Sequence, residues 1–164
     1  MRPGHRAAQR LFEALGRSQG FEPARTYSPK LPTDGVWFHK GGVIDALPVV
    51  AIEVVVSESP KLMKGSVRTL ELVSPALGVL LLENEEIWRG RVRKGDSDEK
   101  ATAYVARVHA ELLDLAARSG RRIEVWTISH LRKLHRWACE IELHTGTPPA
   151  TPGVQSIHTE GVLP

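Results

Sequence analysis

The chain has 164 residues, 41% of them hydrophobic and 25% charged, with a net charge of +3. That size and balance fit one globular core, residues 1–144, followed by a proline-containing tail over 145–164. No apolar run approaches the roughly 18 residues of a membrane span, the single cysteine excludes an internal disulfide framework or a cysteine-based zinc site, and the start MRPGHRAAQR lacks the pattern of a secretory signal, so the expected compartment is cytoplasmic.

In chain order, Ala8, Leu11, Phe12 and Leu15 fall at helical spacing from His5 onward, with Gly16 to Gly20 as a stop. Pro23 to Pro32 contains three prolines and reads as an extended or edge strand. Thr33-Asp34-Gly35 leads into the short strand Val36 to His39, and Lys40-Gly41-Gly42 supplies turn chemistry for a hairpin. Its return arm, Pro48 to Val56, is almost continuously apolar, as expected for a strand buried on both faces, and one carboxylate, Glu53, interrupts it.

Ser59-Pro60 opens a helix to Ser74 with Leu62, Ser66, Leu70 and Val73 at helical spacing. Leu77 to Leu82 is a second buried strand, suited to parallel pairing through that helix. Glu83 to Asp98, polar and carrying Arg89, Arg91, Arg93 and Lys94, reads as an exposed loop or short hairpin whose arginines are placed to meet phosphate. A helix capped by Ser97 or Asp98 follows to Ala117, then a strand over Ile123 to Ile128, and a last helix, N-capped by Ser129, carrying Leu134, Ala138 and Ile141 inward. Cys139 on that helix reads as a small buried hydrophobe, and the four tryptophans as core or interface anchors.

The order is α-β-β-β-α-β-α-β-α, an α/β fold. A buried carboxylate loses several kcal/mol of hydration unless a metal or a positive partner compensates it. Asp34 lies nineteen positions before Glu53, and an antiparallel hairpin returns the two side by side. Two such oxygens suit Mg²⁺, a hard ion that takes one or two carboxylates, water and phosphate oxygens. The competing readings are structural: a Thr-Asp-Gly turn for Asp34, a buried ion pair for Glu53, and solvated helix surface for Lys61, Lys64, Arg68 and Glu13. There is no His-Glu-x-x-His pattern, nucleophile elbow, Walker loop or dinucleotide fingerprint.

Pro32-Thr33-Asp34, then Ala51-Ile52-Glu53-Val54-Val55 on a buried strand, then a helix and another buried strand, resembles the PD-(D/E)xK, or restriction-endonuclease-like, nuclease superfamily over Met1 to Glu83. The resemblance implies a three-layer fold with a mixed central sheet, core α-β-β-β-α-β, and flanking helices. It implies a metal-dependent endonuclease using Mg²⁺ or Mn²⁺ on phosphodiester bonds, with DNA as the expected partner and a homodimer as a possible assembly. Asp34 and Glu53 become catalytic metal ligands, and Glu13 matches an additional acidic position on the first helix. The lysine that the pattern places two residues after the glutamate is Val55 here. Lys61 and Lys64 on the next helix are the candidate substitutes, with Gly65 allowing close approach to the sheet or to DNA. Lys61, Lys64, Arg68, Arg89 and Arg91 form the expected nucleic-acid contacts. The loss of the lysine keeps two other readings open: a nucleic-acid-binding module that no longer cuts, and a dimeric assembly protein joined through the last helix and its tryptophans.

Overall fold

The computed structural model describes residues 3–39, 47–56 and 59–145. It is an α/β structure with five helices and a five-stranded mixed sheet in the order β1-β2-β3-β4-β5. Strands β1 (Glu22–Ala24), β2 (Gly35–Phe38) and β3 (Pro48–Val55) run antiparallel, while β4 (Leu77–Leu82) and β5 (Ile123–Thr127) continue parallel to β3. The hairpin pairing of β2 with β3 is as expected, and Lys40-Gly41-Gly42, expected to turn it, lies outside the described residues. The residues after Thr145 lie outside them too.

Alternation along the central strands builds a core on each face. Ala51, Val55, Leu80 and Leu82 pack with Met63, Val67 and Leu70 of α2 (Pro60–Val73) and with Val108 and Leu112 of α4 (Asp98–Arg118). Val50, Ile52, Val54, Val79 and Leu81 face the other way, onto Ala8, Phe12 and Leu15 of α1 (Pro3–Ser18) and Leu131 and Ala138 of α5 (Ile128–Thr145). Helices therefore cover both faces of the sheet, a three-layer arrangement.

Several local expectations are corrected. Helix α1 runs through Gly16 and ends at Ser18, with Gly20 supplying the positive φ of 79° at the stop. Gly16 serves packing instead: a Cβ there would lie 2.5 Å from Trp37 Nε1, and that indole donates to the Phe12 carbonyl at 3.1 Å and stacks on the Phe12 ring. The strand expected over Pro23 to Pro32 shrinks to Glu22–Ala24, because Thr26 and Ser28 turn the chain with side-chain to backbone bonds. In α2 the buried stripe is Met63, Val67, Leu70 and Val73, leaving Leu62 exposed. Gly65 faces open space, so no part of the sheet approaches it closely.

The stretch read as a loop is helix α3 (Asn84–Arg93). Glu85 and Glu86 in its first turn and Arg91 and Arg93 in its last complement the helix dipole, and Glu85 pairs with Arg89 one turn on. Ile87 is its buried anchor, too little apolar signal to show a helical period. In α5, which begins at Ile128, the Thr127 hydroxyl accepts the His130 N–H at 3.2 Å, the capping role expected of Ser129. Ile141 is exposed, not inward, and Cys139 is partly exposed with its sulfur 3.9 Å from His135 Nδ1.

Candidate active site

Asp34 sits immediately before β2, where its N–H donates to the Ile52 carbonyl at 3.1 Å and extends the β2–β3 ladder by one bond. Its side chain turns back onto the neighbouring strand: Oδ2 accepts the Val54 N–H at 2.8 Å, and Oδ1 accepts from His5 Nε2 at 2.8 Å and from Gln9 at 3.4 Å. The aspartate thus fastens β2, β3 and the first turns of α1 together. Oδ1, with two donors, has both lone-pair positions occupied, and Oδ2 keeps one free.

Glu53 lies on the Ala51 and Val55 face of β3, opposite Leu80 of β4 in register. Burial pushes its carboxyl up to about 8, and the neighbouring Asp34 charge pushes in the same direction, while hydrogen bonds from the Ser66 side chain and the Asp34 backbone pull it back. The structure therefore brings together the two acids singled out in the sequence, with Ser66 of α2 as a neighbour that sequence reading had counted only as part of the helical stripe.

The other expected site residues are dispersed. Lys61, Lys64 and Arg68 are exposed on α2, and at about 100° per residue Lys64 projects roughly 200° around the helix from Ser66. Among the described residues neither lysine pairs with Asp34 or Glu53. Arg68 is bridged to Glu71 at 3.1 Å. Val55, at the position of the missing lysine, is buried in the core beneath α2. Glu13 is held by Arg25 at 3.2 Å and Arg17 at 3.6 Å. On α3, Arg89 pairs with Glu85, and Arg91 pairs with Asp96 while lying 4.3 Å over the Tyr104 ring.

Basic groups near the acids come from α1 instead. A cavity of about 640 Å³ opens beside Asp34 between α1 and the 25–34 segment, lined by Arg6, Gln9, Arg10, Glu13 and Arg25 among others. Arg6 and Arg10 are one turn apart and form no ion pair among the described residues. The sequence carried their signal, two arginines at i and i+4 with Gln9 between, but gave no reason to bring α1 to Asp34.

A further acid, Glu83, was read only as the start of a loop. It is buried, with its carboxyl raised first by burial and then by the Glu85 charge, and partly offset by Arg132. The first turn of α1 rests on it: a Cβ at Gly4 would lie 3.5 Å from Glu83 Oε1 and 3.0 Å from Glu86 Oε2. The positive end of a helix favours carboxylates there. Glu83 and Glu86 thus help to seat the turn that presents His5 to Asp34.

Among the described residues no group of three or more His, Cys, Asp or Glu side chains is placed to hold a metal ion. Asp34 and Glu53 are two oxygen donors, which is what Mg²⁺ takes from a protein when water and phosphate complete its sphere. Their mutual repulsion and the raised Glu53 carboxyl are relieved by a divalent cation, so the donor set fits. Glu13, tied to two arginines, is not part of that pair. No described helix is long and apolar enough to cross a membrane. Compared with family models, curated proteins and solved structures, the chain matches none.

Proposed function

We propose that this chain is a metal-dependent nuclease that hydrolyses phosphodiester bonds, in DNA by preference, on a restriction-endonuclease-like arrangement of its three layers. The observation that carries this reading is the convergence of Asp34 and Glu53 at the β2–β3 junction. The strand order, with β1 to β3 antiparallel and β4 parallel to β3 after a helical crossover, supports the same fold assignment.

Mg²⁺, with Mn²⁺ as a substitute, would be held by Asp34 and Glu53 and would supply charge to a phosphoryl oxygen and to the attacking water. The chain's own residues do the rest. Arg6 and Arg10 bind the phosphate backbone along the cavity that ends at Asp34. His5, with Nε2 on Asp34, is a ring near the acids able to move a proton, the task that the family assigns to the lysine absent at Val55. Asp34 fixes the ring's orientation, as a carboxylate does for many catalytic imidazoles.

The test is incubation of the purified chain with single-stranded, duplex and branched DNA in Mg²⁺, Mn²⁺ or EDTA. Metal-dependent cleavage lost in Glu53→Ala and reduced in His5→Ala is the expected result. Cleavage by the wild type that survives Glu53→Ala overturns the site. A second reading, a nucleic-acid-binding module without cleavage, draws on the burial of Val55 and the outward placement of Lys61 and Lys64. It predicts salt-dependent DNA binding with no product in any metal.

A further inference from the structure

The cavity beside Asp34 lies between two walls. One is the face of α1 that carries Arg6, Gln9, Arg10 and Glu13, residues three and four apart and so on one side of the helix. The other is the 25–34 segment, which closes on itself: Tyr27 donates its N–H to Thr33 Oγ1 at 3.0 Å, and Thr33 donates its own to Thr26 Oγ1 at 3.2 Å. Side chains join the walls at two levels. Asp34 reaches His5 and Gln9, and Arg25 reaches Glu13 at 3.2 Å.

Gln9 and Glu13 are one turn apart, about 6 Å along the helix axis. A stacked strand advances roughly 3.4 Å per nucleotide. A strand with a phosphate at Asp34 therefore has room for about one or two more nucleotides before it meets the Arg25–Glu13 bridge. Toward the start of α1 the wall is Arg6, and among the described residues no side-chain bond joins the walls beyond His5. The cleft is blocked at its Glu13 end and open at its Arg6 end.

Charge distinguishes the blocked end. Glu13 is bound by Arg25 at 3.2 Å and Arg17 at 3.6 Å, and Arg10 precedes it by three positions on the same helix face. Three positive charges against one negative leave a surplus of two. An internal phosphodiester carries one negative charge, whereas a terminal phosphomonoester carries about 1.5 to 2 at neutral pH and offers three acceptor oxygens, a match for planar guanidinium donors.

We propose that this cleft takes the end of a single strand, holding a terminal phosphate on Arg10 and Arg25 and placing a phosphodiester about one or two nucleotides away at Asp34. Arg6, at the open end, meets a phosphate of the strand that trails out. Hydrolysis there adds one water across a P–O bond, leaving a phosphate on one fragment and a hydroxyl on the other, and the fragment released is the short one lodged against the bridge. Cutting rests on the nuclease activity proposed above, and binding of the end does not. A 5′-phosphate and a 3′-phosphate present the same chemistry to the arginines.

The test measures binding and cutting separately on the full chain. Internally labelled single-stranded DNA with a 5′-phosphate, a 3′-phosphate or hydroxyls at both ends is titrated in EDTA and followed by fluorescence anisotropy. One phosphorylated form is expected to bind about 10-fold tighter than the hydroxyl-ended form, and which one identifies the end. Arg10→Ala and Arg25→Ala remove that advantage, whereas Arg6→Ala weakens all forms alike and keeps it; all three side chains are exposed, so the melting temperature should hold. With Mg²⁺ the preferred strand should yield fragments of about one or two nucleotides, and a circular strand of the same sequence should survive. Equal affinity for all ends overturns the proposal, as does an advantage retained in both Arg10→Ala and Arg25→Ala. Cutting of the circle as fast as the linear strand overturns it while leaving the nuclease standing. An end preference in EDTA with no product in any metal upholds the end site and removes the nuclease.

Discussion

The Asp34 carboxylate accepts the backbone N–H of Val54, the residue next to Glu53, at 2.8 Å. A side chain from the start of one strand thereby sets the position of the neighbouring acid's own backbone. Asp34 is therefore structural as well as chemical, and the two roles separate by substitution. Asp34→Ala leaves the partly buried Val54 N–H unpaired and should cost about 1–3 kcal/mol. Asp34→Asn keeps an acceptor and should retain most of that stability while losing the rise in melting temperature that Mg²⁺ gives the wild type. Thermal melts of the three proteins with and without Mg²⁺ make the comparison.

Glu53 gives stability a pH dependence of definite sign. Its carboxyl is raised from an ordinary 4.5 to about 8 in the folded chain. Between those values the folded state holds a proton that the unfolded state has released, so stability falls as pH rises from 4.5 through about 8, and the penalty is complete above that. Glu53→Gln should flatten this slope and be the more stable protein above the upper value, by on the order of a few kcal/mol. Mg²⁺ should also flatten it in the wild type, because the cation favours the ionised form and its binding expels a proton. Denaturant midpoints measured across the range, with and without Mg²⁺, show whether the wild-type slope is present and whether Glu53→Gln lacks it.

Placement of the basic groups orders the losses expected on substitution. His5→Ala should reduce cleavage by about 100-fold or more, as removal of a general acid or base does. Lys61→Ala and Lys64→Ala, on the outer face of α2, should change it little at low salt. A loss of that size in Lys64→Ala with none in His5→Ala would return the role to the α2 lysine. Single-turnover cleavage by each variant, which reads the chemical step alone, makes the comparison.

DNA affinity should track α1. Replacing Arg6 and Arg10 together by alanine is expected to reduce the slope of log affinity against log salt by about 2, one for each lost phosphate contact. Replacing Arg91, held by Asp96 and Tyr104, should leave the slope nearly unchanged. Fluorescence anisotropy at several salt concentrations measures both.

Gly16→Ala tests the helix–sheet contact behind the site. The added Cβ would sit 2.5 Å from Trp37 Nε1, so α1 must shift or the indole must leave the Phe12 carbonyl. A loss of about 1–3 kcal/mol is expected, typical of overpacking and opposite to the usual gain from glycine to alanine in a helix. Urea denaturation decides the sign.

The β-hairpin, the crossover and the two buried strands were legible in the sequence because their apolar runs exceed anything a surface segment carries. Asp34 and Glu53 stood out for the same reason, charge set against an apolar background. Helix α3 was hidden, since it buries a single apolar residue, Ile87, and is otherwise organised by charge. His5, Arg6 and Arg10 were hidden by topology. Nothing in α1 itself says that its first turn will lie against Asp34, a contact created by packing on the Phe12, Trp37 and Ile52 side of the sheet. Ser66 was read correctly as helical but its polarity was passed over, although a hydroxyl between Met63 and Val67 is the kind of residue that answers a half-buried acid.

The packing of α1 against α5 also has a consequence for the order in which the molecule matures. The shared core of Ala8, Phe12 and Leu15 with Leu131 and Ala138 joins segments made more than a hundred residues apart. During synthesis the hairpin bearing Asp34 and Glu53 can form long before α5 exists, whereas the support that holds His5 over Asp34 is completed only when α5 arrives. Contacts so distant along the chain form late. A nascent or truncated chain would carry both acids while α1 still lacked its full seat, so competence for chemistry would be deferred until the last helix has folded into place.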